Sequence, residues 1–306
     1  MKTANLPNLN ESVMAALDFF IKNKPPRLDL NQFKFPIVVG SGNAYNTGMT
    51  IFGNQPAIIA SESNFKQILK NYQPLIKAGK ITQALIISAS GEKDSIWETK
   101  LAKQYGLETT LLTCGADSSA ARLAEKIIVY KKLPEPYTYN TSTYLGMFLS
   151  ASGEKAADIK KFISRLKLSK KLVGYQAYAF ILPDEFAAIT PMLEIKRHEL
   201  FGPHLSLRAF TAGEARHAKF VHPWDKELVI SLGKNKYFGA KESRLEIKLP
   251  RRAGIGLIMA LTYYIVGLIQ ETKPPYFQKN IAGYCQDYGY KAYGQKKPFT
   301  IIVPGN

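Results

Sequence analysis

Residues 88–93, Ser-Ala-Ser-Gly-Glu-Lys, place two hydroxyls and a glycine directly after a short apolar run at 84–87. That run is rich in β-formers and reads as a buried strand. From about Glu92 the pattern turns helical, with Ile96, Leu101 and Ala102 as an apolar stripe broken by charges. A strand that passes through Ser88, Ala89, Ser90 and Gly91 into a helix N-terminus gathers free backbone N–H groups, two hydroxyls and the positive end of a helix dipole. Such a turn can hold an anion, phosphate above all. The plainer reading is that Ser88 and Ser90 cap the helix and Gly91 turns the chain.

Acid–base residues gather elsewhere. All four histidines, His198, His204, His217 and His222, fall within residues 194–223, together with Glu194, Glu199 and Glu214. Histidine suits proton transfer near neutrality, and a glutamate can be tuned upward by burial. A solvated charged helix with a cap is the alternative. No HExxH or Cys/His zinc spacing occurs, so neither a metal nor another cofactor is expected. Gly40-Ser41-Gly42 after an apolar run invites a dinucleotide reading, with Glu62 where a ribose-binding acid would sit. The third glycine of that pattern is replaced by Tyr45, and the nearest later glycine is Gly48. The match is partial.

These residues need a scaffold. At 306 residues the chain can hold two domains, each with its own core. An apolar content of 46% with 21% charged residues describes a folded, water-soluble protein. Two cysteines, Cys114 and Cys285, argue against a disulfide framework and for a reducing compartment. The N-terminus lacks the apolar core of a signal peptide, so the expected location is cytoplasmic. Residues 253–270 are nearly free of polar side chains, at the lower edge of the length a membrane span needs; a helix buried within an α/β domain is the favoured reading. The net charge of +17 comes mostly from lysine, 32 of 41 basic residues. With no arginine-rich stripe and no recognisable module, nucleic acid is not an expected partner, but diffuse positive charge would attract anionic substrates.

Strand and helix signals alternate along the first half: strands at 35–39, 57–60, 84–88, 109–113 and 126–130, helices at 64–77 and 92–105. This alternation predicts a parallel sheet covered by helices. Helices are expected at 11–22, 138–151 and 154–170. The second half alternates less clearly, with strands expected at 172–174, 205–210, 228–232, 245–249 and 300–303, and helices at 184–199, 213–218 and 253–272. Two α/β halves of similar size suggest a duplication.

Taken together, strand-GSG-helix, strand-SxSGE-helix and the AGExxH at 212–217 resemble the sugar isomerase (SIS) domain family. The likeness is strongest to two-domain phosphosugar isomerases and to the isomerase part of glucosamine-6-phosphate synthase. It implies an α/β fold of two SIS domains, each a flavodoxin-like three-layer sandwich. Residues 1–34 would be a helical lead, 35–165 the domain with the phosphate loop, and 166–306 the domain with the acid–base residues. It implies a sugar phosphate as ligand, held by Gly40, Ser41, Gly42, Asn43, Ser88, Ala89, Ser90, Gly91, Lys93, Asn140 and Thr141. Lys93 stands where the family has threonine, and Asn43 and Ala44 replace hydroxyl residues. A loop at 140–143, with Glu135 at its start, matches a ligand-contacting segment. The resemblance further implies that Glu199, with Glu194 as the rival, carries a proton between C1 and C2. His217 would open the ring, and Lys297 or Lys296 would complete the site. It also implies a homodimer in which this histidine reaches the neighbouring site. The reaction implied is aldose–ketose isomerisation or deamination of an amino-sugar phosphate; a non-catalytic sensor is the alternative.

Overall fold

Alternating apolar runs and helix-period stretches build two parallel sheets, one from each half of the chain. The computed structural model describes residues 5–306. Helix α1 (Leu9–Lys22) precedes the first sheet, whose strands are β1 (Ile37–Gly40), β2 (Ile58–Ser61), β3 (Gln83–Ile87), β4 (Glu108–Thr113) and β5 (Lys126–Val129). Their order is β2-β1-β3-β4-β5, with every neighbouring pair parallel. Helices α2 (Asn43–Phe52), α3 (Phe65–Lys77) and α4 (Asp94–Gln104) make the crossovers. The order reverses between β1 and β3, and the crevice at the carboxyl ends of strands there is where open α/β sheets bind ligands.

Side-chain alternation builds the layers. Val38, Leu85, Ile87 and Leu112 join the large core shared by both halves of the chain. Ile37, Val39, Ile86 and Leu111 face the other way, into a smaller core that includes Phe65, Leu69 and Ala102 of α3 and α4. After a short strand β6 (Glu135–Pro136) come α5 (Thr141–Ser152) and α6 (Ala156–Ser164).

The second sheet holds β7 (Ala177–Leu182), β8 (Ser206–Thr211), β9 (Glu227–Ser231) and β10 (Arg244–Glu246), with α7 (Thr190–Phe201) and α8 (Ala212–Ala218) between them. Its order, β10-β9-β7-β8, is again all parallel. Counted from its own first strand, this is the order of the first sheet without its fifth strand. The duplication is therefore visible in topology.

Several expectations change. Residues 172–174 are not a strand; they follow a 3-10 turn at Ser169–Lys171. The strand is β7, six consecutive buried residues (Ala-Tyr-Ala-Phe-Ile-Leu) that lack polar alternation because both faces are covered. The helix expected over 184–199 starts as a 3-10 turn, Asp184–Ile189, before α7. The last strand, β11 (Ile302–Val303), joins neither large sheet and pairs antiparallel with β6. Cys114 and Cys285 are both buried and unpaired.

The most apolar stretch forms α9 (Ile255–Glu271), followed by α10 (Tyr276–Gly283). α9 is packed among α1, α5, α6 and α7. No single described helix is long and apolar enough to cross a membrane. α1 is part of this core rather than a lead into it. Gln270 Oε1 accepts a 2.9 Å bond from the Leu9 N–H, and Glu271 Oε1 a 2.6 Å bond from Asn10 Nδ2. Gly267 permits the approach, since a Cβ there would stand 1.9 Å from the Asn10 nitrogen.

Candidate functional site

β3 ends in the turn 88–93. Ser88 Oγ accepts from the Gly91 N–H at 3.1 Å, and Ser90 Oγ accepts from the Glu92 N–H at 3.3 Å. The serines thus do cap their own turn. Both also line a cleft of about 470 Å³, where their hydroxyl protons remain for a ligand oxygen. Gly91 has φ +67°, and a Cβ there would lie 2.0 Å from Ser118 Oγ, so the turn tolerates only glycine.

The residue that opens α4 is Lys93, at φ 60° and ψ −123°. A lysine in this region is strained, because its Cβ crowds the backbone. Its ammonium donates to Tyr137 Oη at 3.2 Å and lies 3.9 Å from the Tyr293 ring centroid and 4.6 Å from that of Phe299. Burial pulls its pKa down, and the nearby Asp94 carboxylate partly restores it. Lys132 lines the same cleft.

The first turn supplies another wall. Ser41, Gly42, Asn43 and Ala44 line it, and Ser41 Oγ donates to Asp94 Oδ2 at 3.1 Å, tying the two turns together. Glu98, one helical turn beyond Asp94, is only 1% exposed, yet its Oε1 has no hydrogen-bond partner. Burial foremost, then the charges of Asp94 and Glu62, pushes its carboxyl up to about 8. Asn43 Oδ1 is likewise buried without a partner.

In the short strand β6, the buried Glu135 accepts from the Thr141 and Ser142 N–H groups at 2.8 and 3.2 Å and from Ser142 Oγ at 2.9 Å. It caps the N-terminus of α5 and leaves Asn140, at φ 46°, lining the cleft. α7 then brings Glu199 to the same cleft. The fully buried Lys196 holds it, with Nζ donating to Glu199 Oε2 at 2.5 Å and to the Thr138 carbonyl at 2.6 Å. Burial raises the Glu199 pKa, while Lys196 opposes that rise. A carboxyl made more basic than usual by burial and held in place by a lysine is suited to exchanging a proton with carbon.

One cleft therefore unites Ser41, Gly42, Asn43, Ser88, Ala89, Ser90, Lys93, Asn140 and Glu199. Gly40 and Gly91 shape the turns without lining it, and Thr141 is buried at the start of α5. Glu194 lines a neighbouring groove and pairs with Arg197 at 3.4 Å. His217 is exposed on α8 and lines none of these clefts. Lys296 and Lys297 are exposed and also lie outside the cleft lining; the C-terminal tail instead contributes Tyr284, Tyr293 and Val303. Among the described residues, no group of three His, Cys, Asp or Glu is placed to hold a metal ion.

Glu98, Lys132, Lys196 and Tyr293 were not singled out from the sequence. For Glu98 a signal existed: Asp94 and Glu98 are like charges at i, i+4, an arrangement that weakens a helix unless something else uses it. Lys196 and Glu199 are an i, i+3 pair of opposite charge. Lys132 and Tyr293 carry no such mark.

No protein-family model and no curated protein matches the chain. Solved structures do share its fold. The C-terminal domain of glucosamine-fructose-6-phosphate aminotransferase from Francisella tularensis superposes with a TM-score of 0.58 at 14% identity, covering 86% of this chain and 92% of that one. Tagatose-6-phosphate ketose/aldose isomerase from Escherichia coli gives 0.55 at 12% identity, with 88% and 89% covered. Glucosamine-6-phosphate deaminase from Thermotoga maritima gives 0.54 at 14% identity, with 88% and 93% covered. The two-sheet α/β fold implied by the resemblance to SIS proteins is the fold of this chain.

Proposed function

We propose that the chain is a SIS-family sugar-phosphate isomerase that interconverts aldose and ketose forms through an enediol. The observation that carries this reading is the meeting, in one cleft, of the 88–93 turn and the Glu199 carboxylate. The phosphate would sit at the turn, within reach of the Ser88 and Ser90 hydroxyls and the α4 N-terminus, with Lys93 and Lys132 supplying positive charge. Glu199 would take the proton from C2 of the open-chain aldose as O1 gains one, leaving an enediol, and return it to C1 as the O2 hydroxyl gives up its proton to form the ketone. Deamination of an amino-sugar phosphate is the nearest variant, since it begins with the same enolisation.

His217 enters this reading only through a second copy of the chain, as a homodimer would allow. Its exposure on α8 favours one other reading, a phosphosugar sensor without turnover.

Thermal shift against hexose 6-phosphates and hexosamine 6-phosphates, beside the free sugars, tests the site. A ligand that binds only the folded state raises the melting temperature. The expected result is stabilisation by a phosphosugar and none by its free sugar. Glu199→Gln should then lower kcat by roughly 10²–10⁴-fold while leaving binding largely intact. Binding without turnover in the unmodified chain identifies the sensor, and no stabilisation by any phosphosugar removes the proposal.

A further inference from the structure

A second cavity, of about 360 Å³, lies where the end of α1, the end of α5 and the start of α6 meet. α5 links it to the phosphosugar cleft: Tyr144 near one end lines the cleft, and Leu149, Ser150 and Gly153 at the other line the cavity. The length of this helix separates the two by roughly 15 Å. The cavity floor is apolar, with Phe20 and Leu149 buried beneath it and Ile21 exposed at its rim. Lys24, Arg27 and Lys155 line it too, and among the described residues none of these cations has an ion-pair partner. The carboxylate in the lining, Glu154, is already engaged. Its Oε1 accepts from the Gly254 and Leu257 N–H groups at 3.0 and 3.2 Å, and its Oε2 from that of Gly256 at 2.7 Å. Glu154 thus caps α9, and the positive end of that helix balances its charge.

Two of the three cations are carried on a stiff strap. Pro25 and Pro26 fix the backbone between Lys24 and Arg27. The strap is tied to α5 by the Leu28 N–H, which donates to the Ser150 carbonyl at 3.1 Å, and by the Ser150 hydroxyl, which donates to the Pro26 carbonyl. Gly153, at φ +71°, leaves room for the Arg27 guanidinium, since a Cβ there would stand 2.7 Å from Nη1.

We propose that this cavity is a second ligand site, which takes an amphiphilic anion: a carboxylate or phosphate head on a hydrocarbon tail. The head lies among Lys24, Arg27 and Lys155, where the guanidinium offers either oxyanion a fork of donors. Ala156 and Ala157, the first residues of α6, add N–H groups that no side chain caps. The tail covers Phe20, Ile21 and Leu149 and takes that surface out of water. A cavity of about 150 Å³ holds a benzene ring, so this one has room for a tail of roughly 8–12 carbons. An inorganic anion would leave the floor bare, and an uncharged chain would leave three cations unpaired. The site stands or falls independently of the phosphosugar reading.

Calorimetric titration of the whole chain with decanoate, decyl phosphate, decanol, decyltrimethylammonium and acetate, below micelle-forming concentrations, tests this. Decanoate or decyl phosphate is expected to bind at one site per chain, roughly tenfold tighter than decanol, because charge-assisted bonds hold the head. Acetate, without the tail, should bind roughly a hundredfold more weakly. Arg27→Gln combined with Lys155→Gln, both at exposed positions, should cost roughly tenfold in affinity. Ala157→Phe, also at an exposed position, fills the cavity and should abolish binding with all three cations in place. Decyltrimethylammonium binding as tightly as decanoate would overturn the proposal, since the site would then not select charge. Equal affinities for acetate and decanoate would overturn it too, as would an affinity that neither variant changes. Binding to phosphatidylglycerol vesicles, with none of monomeric decanoate or decyl phosphate, would reassign the cations to a membrane surface and overturn it as well.

Discussion

The turn after β1 and the turn after β3 each hand the chain to a helix through one residue of nearly the same backbone shape. Gly42 has φ 56° and ψ −122°, and Lys93 has φ 60° and ψ −123°. At Gly42 this shape is free of strain, and a Cβ there would have nothing within 4 Å. At Lys93 the same shape costs on the order of 1–3 kcal/mol. The second turn offsets that with an ammonium seated among three aromatic rings at the edge of the cleft. What separates them is the side chain, so the strain at Lys93 belongs to the placement of a charge and not to the path of the backbone.

Four changes break or sharpen this comparison, taken from the largest expected effect to the smallest. Glu98 sits on the helix that the strained turn begins. Its folded pKa, about 8 against an ordinary 4.5, means that the folded protein keeps a proton which the unfolded chain gives up. Its contribution is therefore complete below pH 4.5 and is lost as the pH rises toward 8. Glu98→Gln should flatten the fall of unfolding free energy with pH across that window, by several kcal/mol at most, as read by chemical denaturation at its two ends. Second, Gly91→Ala should destabilise the protein by about 2–4 kcal/mol in chemical denaturation, through the clash with Ser118 and the positive φ.

Third, Lys93→Gly should remove the strain, leaving stability unchanged or about 1 kcal/mol higher, while weakening phosphosugar binding about tenfold. A loss of stability instead would mean that the aromatic cage outweighs the strain. Fourth, Gly42→Ala should cost about 1 kcal/mol of torsional strain and little affinity. If it abolished binding, the first turn would be doing more than shaping the wall.

The local parts of this site were legible in the sequence. A strand running through Ser88-Ala89-Ser90-Gly91 into a helix is fixed by neighbours in the chain, whereas its position at the switch point came only with the strand order of the folded sheet. Glu199 was reachable through the family resemblance, and the structure adds Lys196 as the group that holds it. The rest depends on contacts far apart in sequence. β7, an unbroken apolar run, lacks the alternation that marks a half-buried strand, so a strand was expected too early, at 172–174. The rings of Tyr293 and Phe299 meet Lys93 across some 200 residues, and no spacing encodes that meeting. That Glu98 Oε1 lacks a partner is a property of the folded packing alone.

The clasp between α1 and α9 bears on the order of assembly. Its hydrogen bonds join residues 261 positions apart. Leu9, Val13, Ala16, Leu17 and Phe20 are buried in a core to which α9 contributes Ile258, Met259, Leu261 and Ile265. As the chain emerges from the ribosome, the first sheet can pair its strands and α5 and α6 can cover part of α1 long before α9 exists, so the remainder of α1's greasy face waits uncovered. The cleft, walled in part by Tyr293 and Val303, closes later still. A half-chain ending after α6 should therefore be a sticky, aggregation-prone species, rescued in solution by the missing half rather than by ligand.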